Sequence, residues 1–130
     1  MERIFIEATN HLPLVDFETD GKFKLEGRVI PEDVNKFFNP LIEFVSQLET
    51  EKVEFNINLE YFNTATSKKL LDLLKHLDAN NKIGLVNVNW HYEEGDDDSL
   101  EMGEVYEECM LRTSFRFIEY AEIQIKQNNI

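Results

Sequence analysis

Leu59-Glu60-Tyr61-Phe62-Asn63-Thr64-Ala65-Thr66-Ser67-Lys68-Lys69-Leu70-Leu71-Asp72-Leu73-Leu74 joins a predicted strand to a predicted helix near the middle of the chain. The residues that lead into it, 53–61, alternate between two faces, and the inward set is Val53, Phe55, Ile57, Leu59 and Tyr61. After Thr64, helical spacing predicts a helix to about Asp78, with an inward stripe of Leu70, Leu71, Leu74 and Leu77. Thr64 is therefore expected at a strand-to-helix junction.

Two further stretches, residues 23–29 and 85–92, alternate in the same way. Their inward residues are Phe23, Leu25, Val29, Val86, Val88, Trp90 and Tyr92. Weaker patterns predict strands at residues 3–8, 13–18 and 114–120. Because the clear strands each have one polar face, we expect a sheet with helices on one face only. The other face would carry Asn56, Asn58, Glu60, Asn87, Asn89 and His91, either in solvent or against a partner or a second copy.

Two regions outside this central unit predict further helices. Pro31-Glu32-Asp33 is typical of a helix start, and Asn39-Pro40 interrupts the pattern, so we predict one helix to about residue 38 and another over 40–49. A last helix is predicted over about 98–112, with Met102, Val105, Tyr106 and Cys109 inward and Gly103 at a close approach.

Composition limits the classes of protein to consider. The chain has 130 residues and a mass of 15.3 kDa, which fits one domain over residues 1–130. A net charge of −13 argues against nucleic acid or an anionic membrane surface as partner. The N-terminus lacks the apolar run of a secretory signal, and no stretch reaches membrane-spanning length. With the single Cys109, these features predict a cytoplasmic protein without membrane insertion.

Thr64 has two interpretations on its residue type alone. Asn63 or Thr64 is suited to cap the helix, which contributes about 1 kcal/mol. Alternatively, Thr64 accepts a phosphate beside the positive end of the helix dipole, where added negative charge is tolerated. Thr66 and Ser67 are rival acceptors in the same turn. Residue chemistry by itself favours capping.

The acidic run over residues 93–104 suggests a metal site at first sight. It does not reproduce the spacing of an EF-hand loop, and acids at the start of the last helix are the favoured interpretation, with a docking patch as a third. His11, His76 and His91 have no ligand spacing between them. Neither a nucleophile elbow nor a glycine-rich phosphate loop is present, so no catalytic residue, metal or cofactor is predicted.

Three groups of residues together resemble one bacterial family. They are Pro31-Glu32-Asp33 with Phe37-Phe38-Asn39-Pro40, then residues 59–64 with Ser67-Lys68, then Trp90-His91-Tyr92-Glu93-Glu94 before the acidic run. In combination, and over most of the chain, they are similar to the SiaC family of regulatory phosphoproteins. The resemblance implies a STAS-like α/β fold, in which a mixed sheet carries helices on one side. That agrees with the one-sided strands predicted above.

The resemblance also implies a function. In STAS regulators an Asp-Ser pair before a helix carries the phosphorylated hydroxyl, and Asn63-Thr64 occupies the corresponding turn here. A histidine-kinase-like ATPase-fold protein kinase would phosphorylate Thr64 and a PP2C-like phosphatase would reverse this. The unphosphorylated form would bind and activate a diguanylate cyclase, so that phosphorylation controls cyclic-di-GMP synthesis and biofilm regulation. Partner contacts are expected at Asn63, Thr66, Ser67, Lys68, Glu93, Glu94 and Asp96.

With this resemblance, phosphorylation of Thr64 becomes the preferred hypothesis for the junction. Two alternatives stay open. One is a constitutive STAS-like module that binds a protein or a small ligand and is never phosphorylated. The other is a metal-binding enzyme that uses the acidic run together with His91.

Overall fold

A computed structural model describes residues 1–121 as one six-stranded sheet with three helices. The strands are β1 (Ile4–Ile6), β2 (Leu14–Phe17), β3 (Lys22–Val29), β4 (Thr50–Phe62), β5 (Ile83–Glu93) and β6 (Ser114–Tyr120). The helices are α1 (Val34–Gln47), α2 (Thr64–Ala79) and α3 (Asp97–Glu108). All six strand predictions are confirmed, as is the helix that follows Thr64. Within residues 1–121, no helix is both long and apolar enough to cross a bilayer.

The sheet is mixed, and its strands lie side by side in sequence order. β1, β2 and β3 pair antiparallel, whereas β3, β4, β5 and β6 pair parallel. Each parallel connection contains one helix, as parallel pairing requires. The inward side chains of the strands pack with those of the helices into one core, so the expected mixed sheet with helices on one face is confirmed.

Aromatic rings form the centre of the core. Phe17 and Phe23 stack with their ring centroids 4.3 Å apart, and Phe55 meets both rings edge-on at 5.3 and 5.5 Å. Phe44 of α1 closes over Phe17 at 6.0 Å. These edge-to-face and offset contacts are the arrangements that aromatic rings prefer. They fix α1 over β2, β3 and β4.

The predicted break at Asn39-Pro40 is wrong, because α1 continues through Pro40 as one helix. Pro40 lies on the exposed face, where water can satisfy the carbonyl that loses its partner. The opposite face buries Phe37, Phe38, Leu41, Phe44 and Val45, and this packing holds the helix together. The helix also starts later than predicted, with Asp33 as the N-cap rather than Pro31 as the first turn.

The inward prediction for Tyr61 is wrong as well, since its side chain is 51% exposed. The register between β3 and β4 shifts after Gly27, which pairs with Leu59, so that Arg28 pairs with Tyr61 and Glu60 is left over. Such a bulge exchanges the two faces of the strand beyond it. Phe62 consequently packs against the core in place of Tyr61.

α3 differs from prediction on its buried face and at its end. Gly103 and Tyr106 are buried and Met102 is half-buried as expected, but Val105 is 52% exposed and Cys109 is exposed. Only a narrow stripe of α3 meets the sheet, and Val105 lies about 200° around the helix from Gly103. Cys109 is the C-cap, where the chain turns away. A Cβ on Gly103 would lie 2.8 Å from Trp90 Nε1, which confirms the predicted close approach.

Candidate functional site

The carboxyl ends of β3, β4 and β5 lie at one edge of the sheet, because these strands run parallel. Each strand is followed by a helix, so the N-termini of α1, α2 and α3 all lie along this edge. We call it the carboxyl edge. In open α/β sheets, ligands and partners are usually bound at such an edge, where loops and helix N-termini meet.

Thr64 is the first residue of α2, at the middle helix of the carboxyl edge. Asn63 caps the helix, since its Oδ1 accepts a hydrogen bond from Thr66 N at 2.9 Å. The capping role weighed for Thr64 therefore belongs to its neighbour. Thr64 itself is exposed, and no side-chain hydrogen bond of its hydroxyl occurs within residues 1–121. Its hydroxyl is accessible to a partner.

The two rival hydroxyls of this turn have different surroundings. Thr66 is 1% exposed, and its Oγ1 is buried without a hydrogen-bond partner among the described residues. Ser67 is half-buried, and its Oγ donates to Thr64 O at 2.8 Å. A kinase would need to unfold the first turn of α2 to reach Thr66 and to break a local hydrogen bond at Ser67. Thr64 is the most accessible acceptor of the three.

The charges around Thr64 favour an added anion. The first turn of α2 contains no acidic residue, and its unpaired N–H groups carry the positive end of the helix dipole. Lys68 is exposed one turn further along the same helix face. Lys69 is engaged elsewhere, because its Nζ donates to Asn39 Oδ1 of α1 at 2.8 Å. Lys68 is thus the lysine of this turn placed to pair with a phosphate on Thr64.

α2 is tied to α3 at its first turn through Tyr106, which sequence reasoning placed in the core without assigning it a contact. Tyr106 Oη donates to Ser67 O at 2.6 Å, and its ring packs edge-on against Trp90 at 5.6 Å. Burial raises the pKa of Tyr106 well above its ordinary value, so the hydroxyl stays a donor at neutral pH. Trp90 Nε1 in turn donates to Ser99 O of α3 at 3.0 Å. The first turn of α2, which carries Thr64, is therefore fixed to α3 by Tyr106.

The last turn of α2 is fixed by Asp78, a contact that the sequence did not reveal. Its carboxylate accepts from the backbone N–H groups of Leu111, Arg112 and Thr113 at 2.9 to 3.0 Å, and from Thr113 Oγ1 at 2.7 Å. Burial opposes ionisation of Asp78, but these hydrogen bonds outweigh it and hold its pKa below the ordinary value. The partners follow 33 to 35 residues later in the chain, so no local pattern announces them.

The acidic run begins at the end of β5 and forms the start of α3, which agrees with the interpretation favoured from sequence. Asp96 Oδ1 caps α3 by accepting from Ser99 N at 3.0 Å, and Asp97 and Asp98 occupy the first turn. Carboxylates there complement the helix dipole. Glu93 is half-buried and Glu94 is exposed. Across residues 1–121, no group of three or more His, Cys, Asp or Glu side chains is arranged to hold a metal ion.

The uncovered face of the sheet is a network of polar side chains. Asn89 Nδ2 donates to Glu54 and Asn56, and His91 Nε2 lies 3.1 Å from Asn56 Oδ1. Burial lowers the pKa of the His91 imidazole, although the charge of Glu26 opposes the shift. These contacts hold the amides and the imidazole in place. They lie on the face opposite the helices, so the structure does not group His91 with the acids that begin α3.

The chain resembles known proteins in its sequence. The sequence pattern of the family described as SiaC family regulatory phosphoprotein matches residues 6–120. The chain belongs to this family. One relative is an uncharacterised protein of Pseudomonas aeruginosa strain UCBPP-PA14. It is 25% identical over 113 residues, which is 83% of this chain and 90% of the relative.

Solved structures of SiaC proteins share the fold. SiaC of Pseudomonas aeruginosa is 24% identical, with a TM-score of 0.73 over 94% of this chain and 100% of its own. Its apo form is 25% identical, with a TM-score of 0.71 over 93% and 100%. A third structure is that of the diguanylate cyclase SiaD of the same organism in complex with its activator SiaC. The matching chain is 23% identical, with a TM-score of 0.73 over 92% of this chain and 99% of its own. The mixed sheet and three helices are thus a SiaC fold.

Proposed function

We propose that this SiaC-family protein is a non-catalytic regulator whose partner choice is switched by phosphorylation of Thr64. In this proposal a protein kinase of the histidine-kinase-like ATPase fold adds the phosphate, and a PP2C-like phosphatase removes it. The unphosphorylated form binds and activates a diguanylate cyclase in the cytoplasm. The observation that carries the proposal is the exposed hydroxyl of Thr64 at the first position of α2, where Asn63 already caps the helix.

Phosphorylation at this position leaves the fold unchanged. Thr66 N donates to Asn63 Oδ1 and Ser67 N donates to Asn63 O, so the start of α2 needs no hydrogen bond from the Thr64 side chain. Because Thr64 is exposed, no contact of the core is lost on modification. The phosphate carries nearly two negative charges at pH 7. The positive end of the helix dipole and the ammonium group of Lys68 both stabilise that charge. The switch therefore acts on the surface of the protein and spares its stability.

The effect on a partner is large. If the surface around Thr64 is covered in the complex, a phosphate there becomes a buried charge, which costs several kcal/mol unless the partner supplies a cation. A penalty of about 4 kcal/mol weakens binding roughly a thousandfold. A cyclase surface that fits the bare hydroxyl is thereby released, whereas a phosphatase with a cationic site is not.

The residues proposed for partner contact do not all offer their side chains equally. Lys68 and Glu94 are exposed, and Glu93 is half-buried. Asn63 and Asp96 are engaged as helix caps, and Ser67 donates to the backbone. Thr66 is buried and supports the turn from below. The proposed contact surface accordingly centres on Thr64, Lys68, Glu93 and Glu94.

Mass spectrometry of the protein from its native cells tests the site. We expect one phosphoryl group on the peptide that contains Thr64, with none on Thr66 or Ser67. The purified chain should then bind the cyclase until it is phosphorylated. Thr64→Ala should bind but resist the kinase, and Thr19→Ala, which changes an exposed threonine at the β2–β3 turn, should behave as the wild type.

Two outcomes would contradict the proposal. Modification confined to Ser67 or Thr66 would move the acceptor and remove the argument from accessibility. Equal cyclase binding by the phosphorylated and unphosphorylated protein would favour a constitutive STAS-like interaction module instead. Direct phosphorylation is preferable to Thr64→Asp here, because one carboxylate reproduces neither the charge nor the three oxygens of a phosphate.

A further inference from the structure

The uncovered face of the sheet contains asparagines at positions where strands seldom have them. Asn56 and Asn58 lie in β4, and Asn87 and Asn89 lie in the neighbouring strand β5. Asparagine is depleted in strands, because its short polar side chain competes for hydrogen bonds with the backbone. All four side chains are half-buried and lie outside the core. Residues that contradict a local preference in this way are expected at functional or strained sites.

Glu54 fixes the direction of the amide groups on this face. Asn87 Nδ2 donates to Glu54 Oε1 at 3.0 Å, and Asn89 Nδ2 donates to Oε2 at 3.1 Å. The hydrogen bond from Asn87 is the largest cause of the lowered pKa of Glu54, so the carboxyl group is ionised at neutral pH. An ionised carboxylate only accepts, so both asparagines must present nitrogen to it and oxygen away from it.

β4 consequently offers hydrogen-bond donors. Asn56 Oδ1 accepts from Asn89 Nδ2 at 3.3 Å and lies 3.1 Å from His91 Nε2, so this oxygen is engaged twice. Asn58 Oδ1 accepts from Tyr120 Oη at 3.1 Å. The amide nitrogens of Asn56 and Asn58 have no partner within residues 1–121, so their N–H groups are available to a ligand.

β5 offers acceptors beside these donors. The nitrogens of Asn87 and Asn89 are used on Glu54, which leaves their Oδ1 atoms unpaired among the described residues. His91 faces an oxygen through Nε2, so Nε2 carries the proton of the neutral ring and Nδ1 is a bare acceptor. Burial lowers the pKa of His91, which favours that neutral form. Asn56 pairs with Asn89 in the strand register, so donors and acceptors stand about 4.8 Å apart.

We propose that this face binds a neutral polyhydroxyl compound, a monosaccharide or disaccharide in size, over β4 and β5. A hydroxyl group donates and accepts at once. Between the two strands it accepts from an amide of β4 and donates to an acceptor of β5, which a lone carboxylate or ammonium group does not do. A cleft of about 440 Å³ lies at this place, within the range of about 300–1,000 Å³ that small-molecule sites have. It is lined by Lys24, Glu26, Asn56, Asn58 and His91.

Charge and size favour such a ligand over an ion or a protein. The centre of the face consists of amides and an imidazole, and Lys24 and Glu26 at its border carry opposite charges, so neither a cation nor an anion is preferred. From Glu54 to Asn58 along β4, and from β3 to β6 across the sheet, the face measures about 13 by 14 Å. A stable protein interface needs about 800 Å² on each partner, several times this area.

Heteronuclear NMR of the full chain tests the site, because it resolves the side-chain NH₂ groups of asparagine. The probes are D-glucose, maltose, trehalose and myo-inositol, each added to about 50 mM, which nearly saturates a site with a Kd of about 1 mM. We expect at least one of them to shift the NH₂ signals of Asn56 and Asn58 in a saturable way. Sodium acetate and methylammonium chloride at the same concentration, a lone anion and a lone cation, should not.

Matched variants separate this face from the rest of the molecule. Asn56→Val with Asn58→Val removes the donors, introduces residues that strands favour, and should weaken binding at least about tenfold. Asn81→Val makes the same change at an exposed asparagine after α2 and should bind as the wild type does. Glu54→Gln removes the group that only accepts and should also weaken binding, whereas Glu60→Gln, at an exposed position of the same strand, should not. Glu54→Asp keeps an ionised acceptor, so its affinity should lie between those of the wild type and Glu54→Gln.

The proposal fails if none of the four compounds shifts the NH₂ signals of Asn56 and Asn58, or if acetate or methylammonium shifts them equally. It also fails if the double valine variant binds as the wild type does. The dispersion of the backbone amide signals shows whether a variant is folded, and the single change Asn58→Val gives the same test if the double variant is not.

Discussion

Replacing Asp78 by alanine removes the acceptor for three backbone N–H groups and one hydroxyl in the segment that joins α3 to β6. Leu111 is 96% exposed, so water replaces the carboxylate at its N–H, and we discount that bond. The backbone N–H groups of Arg112 and Thr113 lose charge-assisted bonds, each worth about 1.5–3 kcal/mol, whereas the half-buried Thr113 hydroxyl can rotate toward another acceptor and is discounted as well. At the lower end of that range, Asp78→Ala should cost about 3 kcal/mol of unfolding free energy.

Urea unfolding at pH 7 measures this loss, and thermal melting should show a fall in Tm of about 10 °C. Asp72→Ala is the matched control on the same helix. Asp72 is a surface residue, 3.9 Å from Lys69 Nζ and 3.3 Å from His76 Nδ1, and such pairs contribute less than about 1 kcal/mol. If Asp78→Ala lost no more stability than Asp72→Ala, the reasoning about the carboxylate would be refuted.

The same contact predicts a pH dependence. Because the folded-state pKa of Asp78 is lowered, its contribution is fully present above the unfolded value of about 3.9 and is lost as the pH falls through the folded value. The stability difference between wild type and Asp78→Ala should therefore be constant from about pH 5 to pH 7 and narrow below about pH 4.

Three further predictions separate the roles assigned above. Asn63→Ala should lose about 1 kcal/mol of stability, whereas Thr64→Ala should lose less than about 0.5 kcal/mol, because only Asn63 caps α2; equal losses in urea unfolding would contradict this. Tyr106→Phe removes the hydrogen bond to Ser67 O and should cost about 1 kcal/mol, measured in the same way, and no loss would show that the bond is not needed. Burial lowers the pKa of His91, so below about pH 6.5 the unfolded chain takes up a proton that the folded chain resists. The Tm of the wild type should therefore fall more than the Tm of His91→Gln between about pH 7 and pH 5.5. Equal falls in Tm would contradict a lowered pKa of His91 in the folded protein.

Side-chain alternation predicted the strands because one face of the sheet is dry and the other is wet. Val53, Phe55 and Ile57 are almost fully buried, as the pattern requires. Alternation fails where the register shifts, and Tyr61 illustrates this, since the bulge depends on pairing with a strand more than 30 residues earlier. Local periodicity contains no information about such a partner.

The positions where helices end and the faces that they bury depend on tertiary packing, which local sequence patterns do not reveal. Pro40 is a strong breaking signal, yet three phenylalanines, a leucine and a valine hold α1 continuous on its buried side. Val105 is apolar but faces solvent, because Gly103 lets α3 approach Trp90 along a narrow stripe. In both cases the packing of one helix face outweighs the local preference of a single residue.

At the candidate site, sequence placed Thr64 at the strand-to-helix junction, and the junction lies where it was expected. Residue types could not divide the capping role between Asn63 and Thr64, since both suit it. The structure makes that division through one hydrogen bond to Thr66 N. The ties of α2 to Tyr106 and to the segment after α3 link residues more than 30 positions apart and left no trace in the sequence pattern.

The strand order of the sheet, which follows the order of the sequence, has a consequence for how the protein is made. Within residues 1–121, strands pair only with their neighbours in the sequence, so none of these strands has to insert between two that have already paired. As the chain leaves the ribosome, each completed helix and strand can join the growing edge in turn. β6 is then the last of these strands to pair, and its Phe117 lies opposite Trp90 of β5. The segment between α3 and β6 binds Asp78 of α2, so these contacts form at the final step of folding.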